Sequence, residues 1–132
     1  PNVFISRDSA IERRVVNDDQ LMDVLFRYGF SKYPLEDRSV AENVRLFNEA
    51  DIVMGAHGAG LTDIVFCDDC TVIELFGSKV KPHYRRRAET LGLDYYPVHC
   101  EPKSTDLLVD VDRIEALLSD ELGYTPRESY VR

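Results

Sequence analysis

The chemistry of this chain concentrates in one run of small residues, Gly55-Ala56-His57-Gly58-Ala59-Gly60-Leu61-Thr62. It follows a continuous apolar stretch, Ile52, Val53 and Met54, and leads into a segment of helical character that ends near Phe66. Small residues between a strand and a helix let backbone N–H groups approach a ligand closely, and the helix start adds a partial positive charge; together they form a cradle for phosphate. The spacing is not the dinucleotide pattern G-x-G-x-x-G, and it is not a P-loop, since no Lys follows the last Gly. The same residues also suit a tight turn that needs glycine only for its backbone geometry. His57 is either a ligand contact or a histidine satisfied within its own turn. Arg7, at the end of the first strand and on the same sheet edge as His57, is either an anion contact or a solvated cation.

Other candidates carry less. Cys67-Asp68-Asp69-Cys70 has the C-x-x-C spacing, with His99-Cys100 downstream as imaginable zinc partners. One such pair is half of a zinc site, and a redox pair belongs at a helix start, whereas this one lies between a helix and a strand. Small buried thiols, reduced in a cytoplasmic environment, are the expectation. Asp110-Val111-Asp112 mimics a manganese-binding D-x-D, but at a helix start its carboxylates cap N–H groups instead. Arg85, Arg86 and Arg87 read as a solvated helix face or as contacts to a substrate.

These residues need a scaffold, and hydrophobic periodicity supplies one. Strands are expected over 2–6, 30–35, 51–55, 71–76 and 94–99, with a helix or helical segment between each pair. Asn17 or Asp18 would cap the first helix, whose Leu21, Val24, Leu25 and Tyr28 share a face, and Gly29 would end it. Ser39 and Glu42 form a capping box for the second helix. Pro82 suits the first turn of a helix to residue 91, and residues 111–122 make a last amphipathic helix. Strands about twenty residues apart with intervening helices predict right-handed β-α-β crossovers. The expected fold is α/β: a three-layer Rossmann-like domain over 1–122 with a mainly parallel five-stranded sheet, and a C-terminal tail over 123–132 with little to bury.

The chain has 132 residues, 44% hydrophobic and 30% charged, enough for one domain. Its 24 acidic and 16 basic side chains give a net charge of −8, which excludes a generic nucleic-acid surface but not a locally positive pocket for a small phosphorylated ligand. Arg outnumbers Lys 12 to 4 and Asp outnumbers Glu 14 to 10, a balance that suits a high-salt cytoplasm or an ordinary acidic protein. No apolar run approaches a membrane span, so the expected location is cytoplasmic, free or at the membrane face. The chain opens at Pro1 and enters a strand almost at once, as expected of a piece of a longer protein or of a processed N-terminus.

Residues 53–66, VMGAHGAGLTDIVF, followed by 71–76, TVIELF, resemble the signature of glycosyltransferase family 61, which includes capsular-polysaccharide transferases. Ile5-Ser6-Arg7, Arg13-Arg14-Val15, Glu36 and the segment from Ser39 to Phe47 are similar to earlier family blocks, so the likeness runs over about residues 3–100. It implies the C-terminal, donor-binding half of a GT-B-like, inverting and metal-independent transferase. It further implies that the backbone of Gly58, Ala59, Gly60 and Leu61, with Thr62, holds the diphosphate of a nucleotide sugar. His57 and Arg7 would face that diphosphate as the catalytic electrostatic groups, and Glu74 would take the ribose hydroxyls. The implied partners are a nucleotide-sugar donor, a glycan or polysaccharide acceptor and an N-terminal domain of the same protein, with no cofactor and no metal. Two positions depart from the family pattern: Asp63 stands in place of Asn, and Asp68-Asp69-Cys70 in place of a Pro-Pro-Gly turn. Asp63 adds negative charge near the phosphate, which favours the alternative of a non-catalytic domain that binds a nucleotide or sugar phosphate.

Overall fold

Val3, Ile52, Val53, Met54, Val72, Ile73 and Leu75 are fully buried, as strands covered on both faces must be. In the computed structural model, which describes residues 1–6 and 13–127, they belong to β1 (Asn2–Ile5), β3 (Ile52–Ala56) and β4 (Thr71–Phe76). With β2 (Phe30–Tyr33) and β5 (Asp94–His99) these form one sheet in the order 2-1-3-4-5, every pairing parallel. Helices cover both faces. On one, Leu21, Met22 and Leu25 of α1 (Asp18–Arg27) pack with Ile114 of α4 (Val111–Ala116) and with Leu117 and Leu118 just beyond it. On the other, Leu46 and Phe47 of α2 (Val40–Glu49) pack with Ala88 of α3 (His83–Leu91) and with Leu61 and Ile64 of a 3-10 helix, Ala59–Phe66. The α/β class and the parallel five-stranded sheet expected from the periodicity are therefore present.

Local chemistry explains several boundaries. Ser39 Oγ accepts from the Glu42 N–H at 3.1 Å and Glu42 returns a bond to the Ser39 N–H at 3.0 Å, so the capping box is formed. These bonds hold the Glu42 carboxyl below its ordinary value of 4.5, so the stability it adds is present above that pH and is lost on acidification. Asp110 caps α4 by accepting from the N–H groups of Asp112 and Arg113, which engages the carboxylate in structure. Gly29 follows α1 with φ of +81°, a conformation that favours glycine.

Four expectations need adjustment. Asn17 precedes α1, but its side chain does not cap; it clamps Val109, donating to the carbonyl at 2.7 Å and accepting from the N–H at 3.0 Å. The second strand stops at Tyr33, because Pro34 lacks a donor and a 3-10 turn, Leu35–Asp37, follows. The last helix changes at Leu117 into a π-helical turn, Leu117–Glu121, and the Leu122 N–H bonds the Leu117 carbonyl at 2.9 Å. A hairpin, β6 (Glu101–Lys103) and β7 (Asp106–Leu108), was not foreseen. Its first turn residue is Ser104 at φ +57°, where the usual sequence signal would be glycine. Leu107 of the hairpin bridges to Val15 in the segment before α1. Among the described residues no helix is long and apolar enough to cross a membrane.

Candidate functional site

In a doubly wound sheet the crevice for ligands lies beyond the carboxyl ends of the strands, where the chain switches direction. With order 2-1-3-4-5 that point falls between β1 and β3. β1 ends at Ile5 and Ser6, so Arg7 is the next residue in the chain; it lies outside the described residues. β3 ends at Ala56 and delivers His57, Gly58 and the 3-10 helix to the same edge.

The glycines of this turn answer to packing. A Cβ on Gly60 would stand 3.0 Å from Ile5 Cγ2, and one on Gly55 would stand 3.2 Å from Ile5 Cβ. A larger residue at Gly60 would therefore run into Ile5 of β1. The backbone of the turn is also partly engaged. The Leu61 N–H bonds the Gly58 carbonyl at 3.1 Å, and the Leu61 side chain is fully buried. Thr62 is exposed and its hydroxyl lies 3.4 Å from that of Tyr84. Asp63 is half-buried, and burial raises its carboxyl above the ordinary 3.8. A carboxyl whose value is raised on folding costs stability above that range, and the cost disappears once both states are protonated. Asp63→Asn is thus expected to stabilise at pH 7 by at most about 0.5 kcal/mol. The gain should vanish below about pH 3.8; thermal melts at both pH values check it.

His57 is largely buried. Its Nδ1 lies 2.6 Å from Glu74 Oε2, and Glu74, 0% exposed, accepts a second bond on Oε1 from the Tyr95 hydroxyl at 2.5 Å. Phe76, His83 and Tyr84 surround the imidazole with centroids 5.8, 6.0 and 5.2 Å away. Glu74 is therefore enclosed, not presented to solvent as a ribose contact would be; Oε2 is engaged by His57 and Oε1 by Tyr95. Burial, with the Glu74 carboxylate beside it, raises the Tyr95 phenol far above its usual range, which keeps it protonated and donating.

His57 opens onto a cavity of about 230 Å³ whose walls include Arg13, Ser78, Lys79, Lys81 and Thr105. A pocket with three cationic side chains stands out on a chain of net charge −8. Lys79 and Lys81 follow β4, adjacent to β3, on the strand edge where ligands bind; that position is the signal by which the sequence could have given them. The thiols stay apart from this site. Cys70 packs on one face of the sheet and Cys100 on the other, so the imagined zinc set is divided by the sheet. The Cys67 thiol, and then burial, raise Cys70 far above its ordinary value, while burial and the Asp110 charge push Cys100 up to about 11. Neither is a reactive thiolate at neutral pH.

Comparison with known proteins agrees with the resemblance. The family model for Glycosyltransferase 61 matches residues 1–73. A beta-1,2-xylosyltransferase of Arabidopsis thaliana is 24% identical over 123 residues, 82% of this chain and 23% of that protein. An EGF domain-specific O-linked N-acetylglucosamine transferase of Mus musculus is 29% identical over 99 residues, 70% of this chain and 19% of its own length. The xylan glycosyltransferase MUCI21 of Arabidopsis thaliana is 27% identical over 123 residues, 87% of this chain and 25% of that protein. The chain thus spans at most about a quarter of the length of these relatives.

Proposed function

This chain belongs to the glycosyltransferase 61 family, and from that premise we propose that it is the donor-binding part of a glycosyltransferase of glycan or polysaccharide biosynthesis, holding the diphosphate of a nucleotide sugar in the cleft beside His57. The observation that carries the reading is the convergence of Arg13, Lys79 and Lys81 with a carboxylate-anchored histidine at the carboxyl edge of a parallel sheet. In the reaction the acceptor hydroxyl attacks the anomeric carbon, the bond to the diphosphate oxygen breaks, and configuration inverts. Negative charge grows on the leaving phosphate, and the cationic walls, His57 and Arg7 stabilise it there. Lysine ammonium groups neutralise a diphosphate much as a divalent cation would, which supports a metal-independent mechanism. The acceptor and its general base would come from an N-terminal part that closes over the cleft in a GT-B-like arrangement.

Calorimetry tests this. Pyrophosphate and uridine diphosphate are expected to bind the parent with or without magnesium or manganese. Lys79→Ala with Lys81→Ala, and separately Arg7→Ala, should weaken binding about ten- to hundredfold, the worth of roughly 1.5–3 kcal/mol in charged contacts. The same preparation, given donor and glycan acceptor, should transfer no sugar to the acceptor above a protein-free control. Parent-like binding by the folded variants would remove the cleft from the reading. A second reading, a non-catalytic domain for a nucleotide or sugar phosphate, is favoured by one observation: Asp63 places a carboxyl on the 3-10 helix that follows the glycine turn. Donor binding by a longer protein containing this chain, without transfer, would decide for it.

A further inference from the structure

Glu74 sits in the middle of a largely apolar strand, and its side chain is shared between two partners, one just beyond β3 and one in β5. β4 and β5 pair so that Val72 lies opposite Tyr95 and Glu74 opposite Pro97, which puts Tyr95 and Glu74 on a diagonal of one sheet face. His57 reaches the same carboxylate from the end of β3. A carboxylate has two oxygens, and a hydrogen bond to one of them fixes the direction in which the other faces. Here Tyr95 donates to Oε1 and Oε2 is left for Nδ1 of His57. Nε2 then remains as the ring nitrogen for the cleft.

We propose that Tyr95 is a positioning residue for the anion cleft: its hydroxyl fixes the Glu74 carboxylate so that His57 is held through Nδ1–H and turns Nε2 to the cleft, where it donates its N–H to a bound anion. The proposal rests on the reading of the cleft as a diphosphate site, and it adds a member that touches no ligand. Tyr95 is itself braced, with the Arg85 guanidinium 5.6 Å over its ring. It also lines a second cavity of about 310 Å³ with Phe76, Pro97 and His99.

The test uses Tyr95→Phe, which removes one oxygen and keeps the ring, read by imidazole proton–nitrogen spectra and by pyrophosphate calorimetry. His57→Ala assigns the signal. In the parent, His57 Nδ1 should carry a proton with the downfield position of a strong hydrogen bond. In Tyr95→Phe that resonance should move upfield and exchange faster with water, and pyrophosphate affinity should fall about fivefold. Unchanged resonance, or a shifted resonance with affinity at the parent value, would overturn the proposal. So would a parent spectrum with the proton on Nε2 and none on Nδ1, which needs no variant to fold. If the parent binds no pyrophosphate, the diphosphate reading fails, whereas a displaced resonance in Tyr95→Phe still upholds the contact through Glu74.

Discussion

Glu74→Ala is expected to lower the melting temperature by roughly 10 °C, about 3 kcal/mol for a domain of this size. Glu74 is completely enclosed, so alanine leaves a void where its carboxyl stood and strips the Tyr95 hydroxyl and His57 Nδ1 of their acceptor. An unsatisfied buried donor costs about 1–3 kcal/mol, and the imidazole can escape part of that by moving its proton while the phenol cannot. Glu74→Gln fills the same space and retains one acceptor, so it should recover most of the stability. It should not recover pyrophosphate affinity, because a neutral amide holds the His57 ring less firmly than a carboxylate does. Melts and calorimetry on the two variants separate these effects. An alanine variant that melts within about a degree of the parent would show that the three residues form no network.

Ile5→Ala should cost about 2–4 kcal/mol, since Ile5 is buried at the end of β1 and wedges between that strand and the glycine turn. Gly60→Val in the parent should cost about 1–3 kcal/mol, because its Cβ would begin 3.0 Å from Ile5 Cγ2. Combined, the two should cost less than their sum by about 1 kcal/mol or more, as the truncated Ile5 admits the valine. Urea titrations of the four proteins close the cycle. Strict additivity would mean that something other than this approach demands glycine at position 60.

The parts legible in the sequence were those governed by neighbours along the chain. The apolar run Ile52 to Met54 announced a strand covered on both faces, and Ser39 with Glu42 announced a helix start, because each is a local pattern with a local cause. Gly55 and Gly60 were visible as a turn, yet the reason for them is Ile5, fifty residues away, and no local pattern reports that. Glu74 could be noticed as a carboxylate in the apolar strand TVIELF, but its partners come from β3 and β5, and only the pairing register brings Tyr95 within reach. The cationic wall of the cleft was missed because Lys79 and Lys81 sit in an ordinary-looking connection whose meaning comes from where β4 ends. The hairpin escaped because Ser104 adopts a conformation that serine does not advertise.

That hairpin bears on the order in which the molecule matures. The cleft draws its walls from the segment before α1, the end of β3, the loop after β4 and the hairpin, and the bond between the Arg13 N–H and the Thr105 carbonyl at 2.7 Å joins the first of these to the last. The sheet grows through crossovers of some twenty to fifty residues, while this junction, like the packing of α4 on α1, closes a loop over most of the chain and is slower to make. On a ribosome, or after dilution from denaturant, the strands of the sheet should therefore be in place before any anion can be held. Ligand affinity then reports closure of this junction, because two walls of the cleft meet there.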